Sequence, residues 1–340
     1  MILHEYDKDL RYEDLPEPVA GPGQIKLKVK ACGMCLTDLK IITGKLANFI
    51  KLPFVPGHEI AGEVAAVGSG VNNLRIGDRG VAYHILACGV CEFCLTGNTN
   101  LCVDIRRIGF EENGGYGEYI VMPAANLCTF GSGADYASMA VTTDAVATPY
   151  HALTEMVRLR AEQRLLIVGA GGLGLNAVQI ARLMGVRVTV ADVNQSAIDI
   201  ALSLGAESAI NTKEVADPLA AARKLTSGMG FDVVLEGVGI AATLAWSLNS
   251  LKKGGSCIIM GYDPVNPVPI RLIDIHNNQW HIVGTKATTL NSLKHSVSLV
   301  ERGLVKPAIL RVIAQTEVNQ AIADLKNGGK GVGRTVITYQ

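Results

Sequence analysis

The chain has 340 residues, 49% of them apolar and 5% aromatic, with 37 glycines and 31 basic residues balanced by 31 acidic ones. That length suits about two domains, and the composition excludes disordered and fibrous classes. A neutral balance without a sustained basic block argues against nucleic acid or an anionic membrane as a partner.

The opening stretch MILHEYDKDLRYED is charged and lacks the apolar centre of a signal peptide. Gln24 to Val29 alternates polar and apolar residues, the pattern of a half-buried strand. Two short segments then carry metal-competent side chains, Cys35 in GMCLTD and His58-Glu59 in PGHE, each beside turn-forming residues. Read singly, each side chain could equally be a buried thiol, a satisfied histidine or a solvated carboxylate. Glu63 to Val67 reads as a further strand, closed by Gly68 and Gly70.

Cys88, Cys91, Cys94 and Cys102 follow within CGVCEFCLTGNTNLC. Four thiolates on one loop can close a tetrahedral shell around zinc and leave no position for substrate, so this site holds structure. Disulfides are disfavoured because the spacing is poor for pairing and the chain shows no export signal; a reducing cytoplasm is expected.

From Arg164 the texture changes. Leu165 to Val168 is a fully apolar strand, and Gly169-Ala170-Gly171-Gly172-Leu173-Gly174 after it fits G-x-G-x-x-G at the start of a helix-like run to Met184. The uncharged stretch Leu165 to Ala181 holds four glycines, Asn176 and Gln179, which makes it a strand-turn-helix and not a membrane span. In such a turn the first glycine permits the sharp bend and the second lets backbone approach a pyrophosphate. The third permits close helix–strand packing, and the helix N-terminus favours phosphate. The next apolar segment begins at Val186 and ends on Asp192, eighteen residues after Gly174. A carboxylate there accepts hydrogen bonds from ribose hydroxyls and repels a 2′-phosphate, so NAD is expected over NADP.

Gln195 to Leu204 reads as helix, and Asp232 to Leu235 and Cys257 to Met260 as buried strands. Continuous apolar strands alternating with helices imply a parallel sheet covered on both faces. After about Thr285 the pattern returns to helix, loop and a last strand at Arg334 to Thr338.

Taken in order, CGMCLTD, PFVPGHEIAGEVAAVG, the four-cysteine loop, ENGGYGEYIVMP, TPYHAL, IVGAGGLGLNAVQIARLMG and GRTVITY resemble the zinc-containing medium-chain dehydrogenases, the zinc alcohol dehydrogenase family, from end to end. The resemblance implies an α/β chain: a doubly wound Rossmann sheet beside a mainly β, GroES-like catalytic domain. The expected limits are residues 1–145 for the catalytic domain, 146–285 for the nucleotide domain, and 286–340 returning to the first.

By the same resemblance Cys35 and His58 match two ligands of a catalytic zinc, Glu59 a carboxylate beside it, and Asp144 the third ligand, where many relatives hold cysteine. Carboxylate in place of thiolate keeps the formal charge and remains an acceptable zinc donor. Asp144 also resembles the choice of secondary-alcohol members. Cys32, three residues early, is a bystander. Thr37 matches the hydroxyl that takes the substrate proton, Thr148 a position near the nicotinamide, and Arg334 a residue reaching the pyrophosphate. Lys40 stands where many relatives carry a relay histidine, and with an ordinary pKa it accepts protons poorly near neutrality, which leaves two routes open, cofactor ribose and water or a lysine of lowered pKa. His84 and Tyr83 fall loosely where relatives place substrate-pocket side chains.

The implied reaction is reversible, NAD-linked oxidation of an alcohol to a ketone or aldehyde, with two zinc ions per chain and a homo-oligomer, a tetramer favoured over a dimer. Two alternatives stay open: a polyol or sugar dehydrogenase of the same family, and a non-catalytic zinc- and NAD-binding protein. A metal-free reductase of the superfamily would lack both the cysteine loop and the Cys35–His58 pair.

Overall fold

A computed structural model describes residues 1–329 and 331–339. The chain forms two units, one of Met1–Ala147 with Thr288 onward, the other Thr148–Ala287. The limits read from sequence, after 145 and 285, lie two residues before these.

The first unit is built on a seven-stranded sheet whose spine is the strand Gln24–Met34. Ile25, Leu27, Val29 and Ala31 are fully buried on one side of the pleat, while Gln24, Lys26, Lys28 and Lys30 stay half-buried on the other. Removing each larger apolar side chain from water contributes about 1.5–3 kcal/mol. This strand pairs antiparallel with Glu59–Val67, Tyr119–Pro123 and Arg334–Thr338.

Register does the decisive positioning. Gly33 lies opposite Glu59 on one side and Val336 on the other, and Met34 lies opposite Thr335. The end of the spine therefore delivers Cys35, the His58–Glu59 pair and Arg334 to one edge of the sheet. Gly33 is required there, because a Cβ at this position would sit 1.9 Å from Glu59 Oε2.

Asp144 arrives from a helix that begins at Tyr136, capped by the Asp135 side chain accepting from Ser138 N at 2.8 Å. Thr142 and Thr143 hydroxyls bond back to the carbonyls of Ser138 and Ala140, both at 2.8 Å. Such back-bonding competes with the helix ladder, and the helix widens into a π turn over Thr142–Val146. Asp144 sits in that turn, a distortion common at functional sites.

The second unit is a six-stranded, all-parallel sheet. In chain order its strands are Arg164–Val168, Arg187–Asp192, Ser208–Asn211, Phe231–Glu236, Leu251–Ile259 and His281–Gly284. In space they run third, second, first, fourth, fifth, sixth. This is the doubly wound order, whose reversal between the first and fourth strands opens a crevice at their carboxyl ends. Leu166, Val168, Val234 and Cys257 line the core between sheet and helices. The helices carry ordinary start signals: Asn194 accepts from Ser196 N, and Asp217 accepts from Ala220 N ahead of Pro218. The four-residue strands Ser208–Asn211 and His281–Gly284 were not singled out in the sequence, being too short to show a period. Among the described residues no helix is long and apolar enough to cross a membrane.

Candidate metal centres and nucleotide site

Two clusters of metal-competent side chains occur among the described residues, both in the first unit. In the loop, one Sγ from each of Cys88, Cys91, Cys94 and Cys102 lies within 4.8 Å of the others. Cys91 opens the short helix Glu92–Leu95. Cys91 Sγ is 3.5 Å from that of Cys94, and Cys102 Sγ accepts the backbone N–H of Cys88 at 3.2 Å. Backbone N–H groups of Val103 and Cys94 draw the Cys91 thiol down to about 6, favouring the thiolate that binds metal. All eight cysteines are free thiols. The sulfur-only donor set fits a closed tetrahedral zinc.

The second cluster joins Cys35, His58, Glu59 and Asp144, again with one donor atom from each inside 4.8 Å. Cys35, His58 and Glu59 are 5%, 3% and 0% exposed. His58 Nδ1 faces Asp38 Oδ1 at 3.0 Å, and its Nε2 lies 3.9 Å from Asp144 Oδ2. A carboxylate can only accept, so Nδ1 carries the proton and Nε2 offers its lone pair to the cluster. Burial works against a charged imidazole, yet Asp38 and then Asp144 raise the His58 pKa well above its ordinary 6.5. The anions that attract a proton here also attract a divalent cation, which competes for the same lone pair.

Glu59 Oε1 accepts from Arg334 Nε at 2.9 Å, while its buried Oε2 has no partner. Burial pushes this carboxyl up to about 7 despite the pull of Arg334. A thiol, an imidazole, a carboxylate and an orphaned carboxylate oxygen form a donor set that zinc accepts, and the residues fit the ion.

The resemblance assigned Arg334 to the cofactor pyrophosphate; its guanidinium is engaged by Glu59, by Asp144 Oδ2 at 3.0 Å and by Cys35 Sγ at 3.3 Å. Strand register brings Arg334 alongside these groups, and the five-donor fork answers several at once.

Thr37 is half-buried, its Oγ1 3.6 Å from Cys35 Sγ. Lys40 lies half-buried in the last turn of the helix Leu36–Ile42. Cys32 is wholly buried and outside the metal cluster. His84 is 4% exposed, with ring centroids 5.7 Å from His58 and 6.3 Å from Phe110. Burial, then the neighbouring His58, depresses it to about 3. Tyr83 donates to Thr288 O at 3.0 Å.

In the second unit Gly171 caps the helix Gly172–Leu183. A Cβ on Gly174 would lie 2.0 Å from the Gly169 carbonyl, so the third glycine of the motif is needed for this close crossing. Asp192 ends the second strand with both oxygens held, Oδ2 by Ala170 N at 2.7 Å and Oδ1 by Asn194 N at 2.8 Å. Each oxygen keeps a further acceptor site, so the carboxylate is fixed yet able to take ribose hydroxyls. Thr148 is 6% exposed, in the helix Ala147–His151.

Sequence reasoning gave no role to Asp38, Glu236 or Tyr116. Asp38, three residues after Cys35 in the same turn, also accepts Cys35 N at 2.8 Å, and that helix-start spacing was the available signal. Glu236 ends the fourth strand and accepts from Val238 N at 2.8 Å and Gly239 N at 3.0 Å. It thereby shapes the loop on the far side of the crevice. Tyr116 had no local signal.

A closed sulfur site, an open mixed-donor metal site and a doubly wound dinucleotide fold together define a zinc- and nicotinamide-dependent dehydrogenase. The comparisons agree. Residues 21–131 match the alcohol dehydrogenase GroES-like domain, and residues 172–302 the zinc-binding dehydrogenase family. An NAD-dependent alcohol dehydrogenase of Sulfolobus acidocaldarius is 32% identical, with 99% of this chain and 98% of that protein covered. The solved alcohol dehydrogenase of Aeropyrum pernix is 28% identical with a TM-score of 0.93, covering 99% of each chain. The acetophenone reductase of Geotrichum candidum, solved in complex with NAD, is 31% identical with a TM-score of 0.89, over 99% of this chain and 96% of that one. This chain belongs to the zinc-containing medium-chain alcohol dehydrogenase family.

Proposed function

We propose that this protein catalyses the reversible NAD-linked oxidation of an alcohol, by preference a secondary one, to the corresponding carbonyl compound. The observation that carries the reading is the convergence of Cys35, His58 and Asp144 donors in one buried cluster. Bound there, zinc supplies Lewis acidity toward the substrate oxygen, and NAD supplies the acceptor for hydride.

The chain's own residues do the rest. Cys35, His58 and Asp144 hold the ion, Asp38 fixes the tautomer of His58, and Arg334 offsets the surplus negative charge. Thr37 accepts the proton of the substrate hydroxyl. Lys40, in place of a relay histidine, would be a poor proton acceptor near neutral pH unless its pKa were lowered. The glycine turn 169–174 seats the pyrophosphate, Asp192 takes the adenosine ribose, and Thr148 borders the nicotinamide. Asp144 in place of a third-ligand cysteine supports a secondary alcohol. So does the likeness to acetophenone reductase, since reducing an aryl methyl ketone yields a secondary alcohol. Eight unpaired thiols suit a reducing cytoplasm, and a homotetramer is the proposed assembly.

The test is NADH absorbance with the zinc-loaded protein against primary, secondary, cyclic and polyhydric alcohols of matched carbon number. Secondary alcohols should give the highest kcat/KM. Polyhydric substrates leading the series would replace the alcohol reading by the polyol one, and no NADH from any class would end it. Light scattering decides the tetramer.

A further inference from the structure

Behind the open metal cluster stands a second layer of polar groups that the reaction does not use. Asp38 is 2% exposed, so protein donors must satisfy its carboxylate. Oδ1 takes His58 Nδ1 at 3.0 Å and Oδ2 takes Cys35 N at 2.8 Å. The remaining donor is the hydroxyl of Tyr116, 3.3 Å from Oδ2. Tyr116 is wholly buried, and burial, reinforced by the Asp38 charge, keeps its phenol protonated, so toward the carboxylate it donates.

Its backbone is pinned along the segment that carries His58. Tyr116 N donates to Pro56 O and Gly115 N donates to Gly57 O, both at 2.9 Å, while Gln315 Nε2 donates to Tyr116 O at 3.3 Å. The Tyr116 hydroxyl is spent on the carboxylate that orients His58.

We propose that Tyr116 is a positioning residue for the open metal site: its hydroxyl holds Asp38 in the rotamer that keeps Nδ1–H of His58 engaged and Nε2 presented to the cluster. The proposal rests on Cys35, His58 and Asp144 being zinc ligands. Outer groups that fix a ligating histidine typically change metal affinity 10- to 100-fold, and Tyr116, one bond further out, should lie at the lower end.

The experiment follows zinc transfer from the fully loaded protein to a chromogenic chelator. Asp144→Ala assigns the phases by abolishing the one that belongs to the open site. Tyr116→Phe, which preserves the ring, should speed that phase about tenfold and leave the four-cysteine phase unchanged. With cobalt in the open site, the visible d–d bands should shift in the same variant. Adding Tyr116→Phe to Asp38→Asn should bring no further acceleration, because the hydroxyl acts through that carboxylate. Parent-like release with an unshifted cobalt spectrum overturns the proposal, as does equal acceleration of both phases. A Tyr116→Phe protein that does not fold overturns it too, since the hydroxyl would then be serving the fold. If the parent carries a single zinc, the ligand reading itself falls and Tyr116 with it.

Discussion

At Asp144 a single substitution separates the two metal sites. Its carboxylate stands among Cys35, His58 and Arg334, and it is no member of the four-cysteine cluster. Asp144→Ala should reduce zinc from two ions per chain to one and lower kcat/KM by about 100-fold or more, the scale of losing a metal's transition-state role. Metal analysis beside turnover checks it, and full zinc content in the variant would remove Asp144 from the ligand set. His84 gives a prediction in pH. Its folded pKa is depressed to about 3 from 6.5, so between those values the unfolded chain binds the extra proton. Stability from this residue is complete above pH 6.5 and is lost as pH falls through that window. From pH 7 to 5 the loss is about 2 kcal/mol, at up to 1.36 kcal/mol per pH unit. His84→Phe should therefore flatten the acid side of the stability curve, read from urea midpoints at pH 7 and 5. Parallel curves would mean the imidazole is charged, or already solvated, in the folded protein.

At the scale of the element, the loop and the sheet edge make different demands. The segment from Cys88 to Cys102 has one short helix and one 3₁₀ turn, with Cys102 its only buried cysteine, so the ion must supply what a core would. Cys94→Ser should lower the melting temperature by several degrees, as a loss of about 1–2 kcal/mol would, before it alters the chemistry of the remaining folded fraction. Specific activity that falls with no change in melting would count against a structural role. What the sequence made legible also divides by element. The glycine turn and Asp192 were readable because strand, turn and helix are local and their spacing is fixed by the nucleotide. The cysteine loop was readable for the same reason. The open metal site was not local: Cys35, His58, Asp144 and Arg334 meet through strand register and a widened helix turn, and only the family resemblance brought the first three together. The contacts of Arg334 with Glu59, Asp144 and Cys35 were not legible, because resemblance carries a position and not the charge around it. Tyr116 was invisible because its one informative contact, with Asp38, spans 78 residues.

At the scale of the whole molecule the two functions are held by separate units, each with its own core, so loss of one can be told from loss of the other. Asp192 belongs wholly to the second unit. Its carboxylate has two tasks, bracing the glycine turn through Ala170 N and Asn194 N and discriminating between ribose and ribose phosphate. Asp192→Gly removes both. Loosening of the turn weakens NAD and NADP alike, since both place a pyrophosphate there. Only the lost hydrogen bonds and the lost repulsion differ between them. The ratio of kcat/KM for NAD over NADP therefore isolates the carboxylate from the scaffold, and it should fall by about tenfold or more, the 1.4 kcal/mol or so expected of a charged hydrogen bond. Zinc content should stay at two per chain. An unchanged ratio, with both cofactors weakened equally, would reduce Asp192 to a brace and leave the nucleotide preference to residues elsewhere in the crevice.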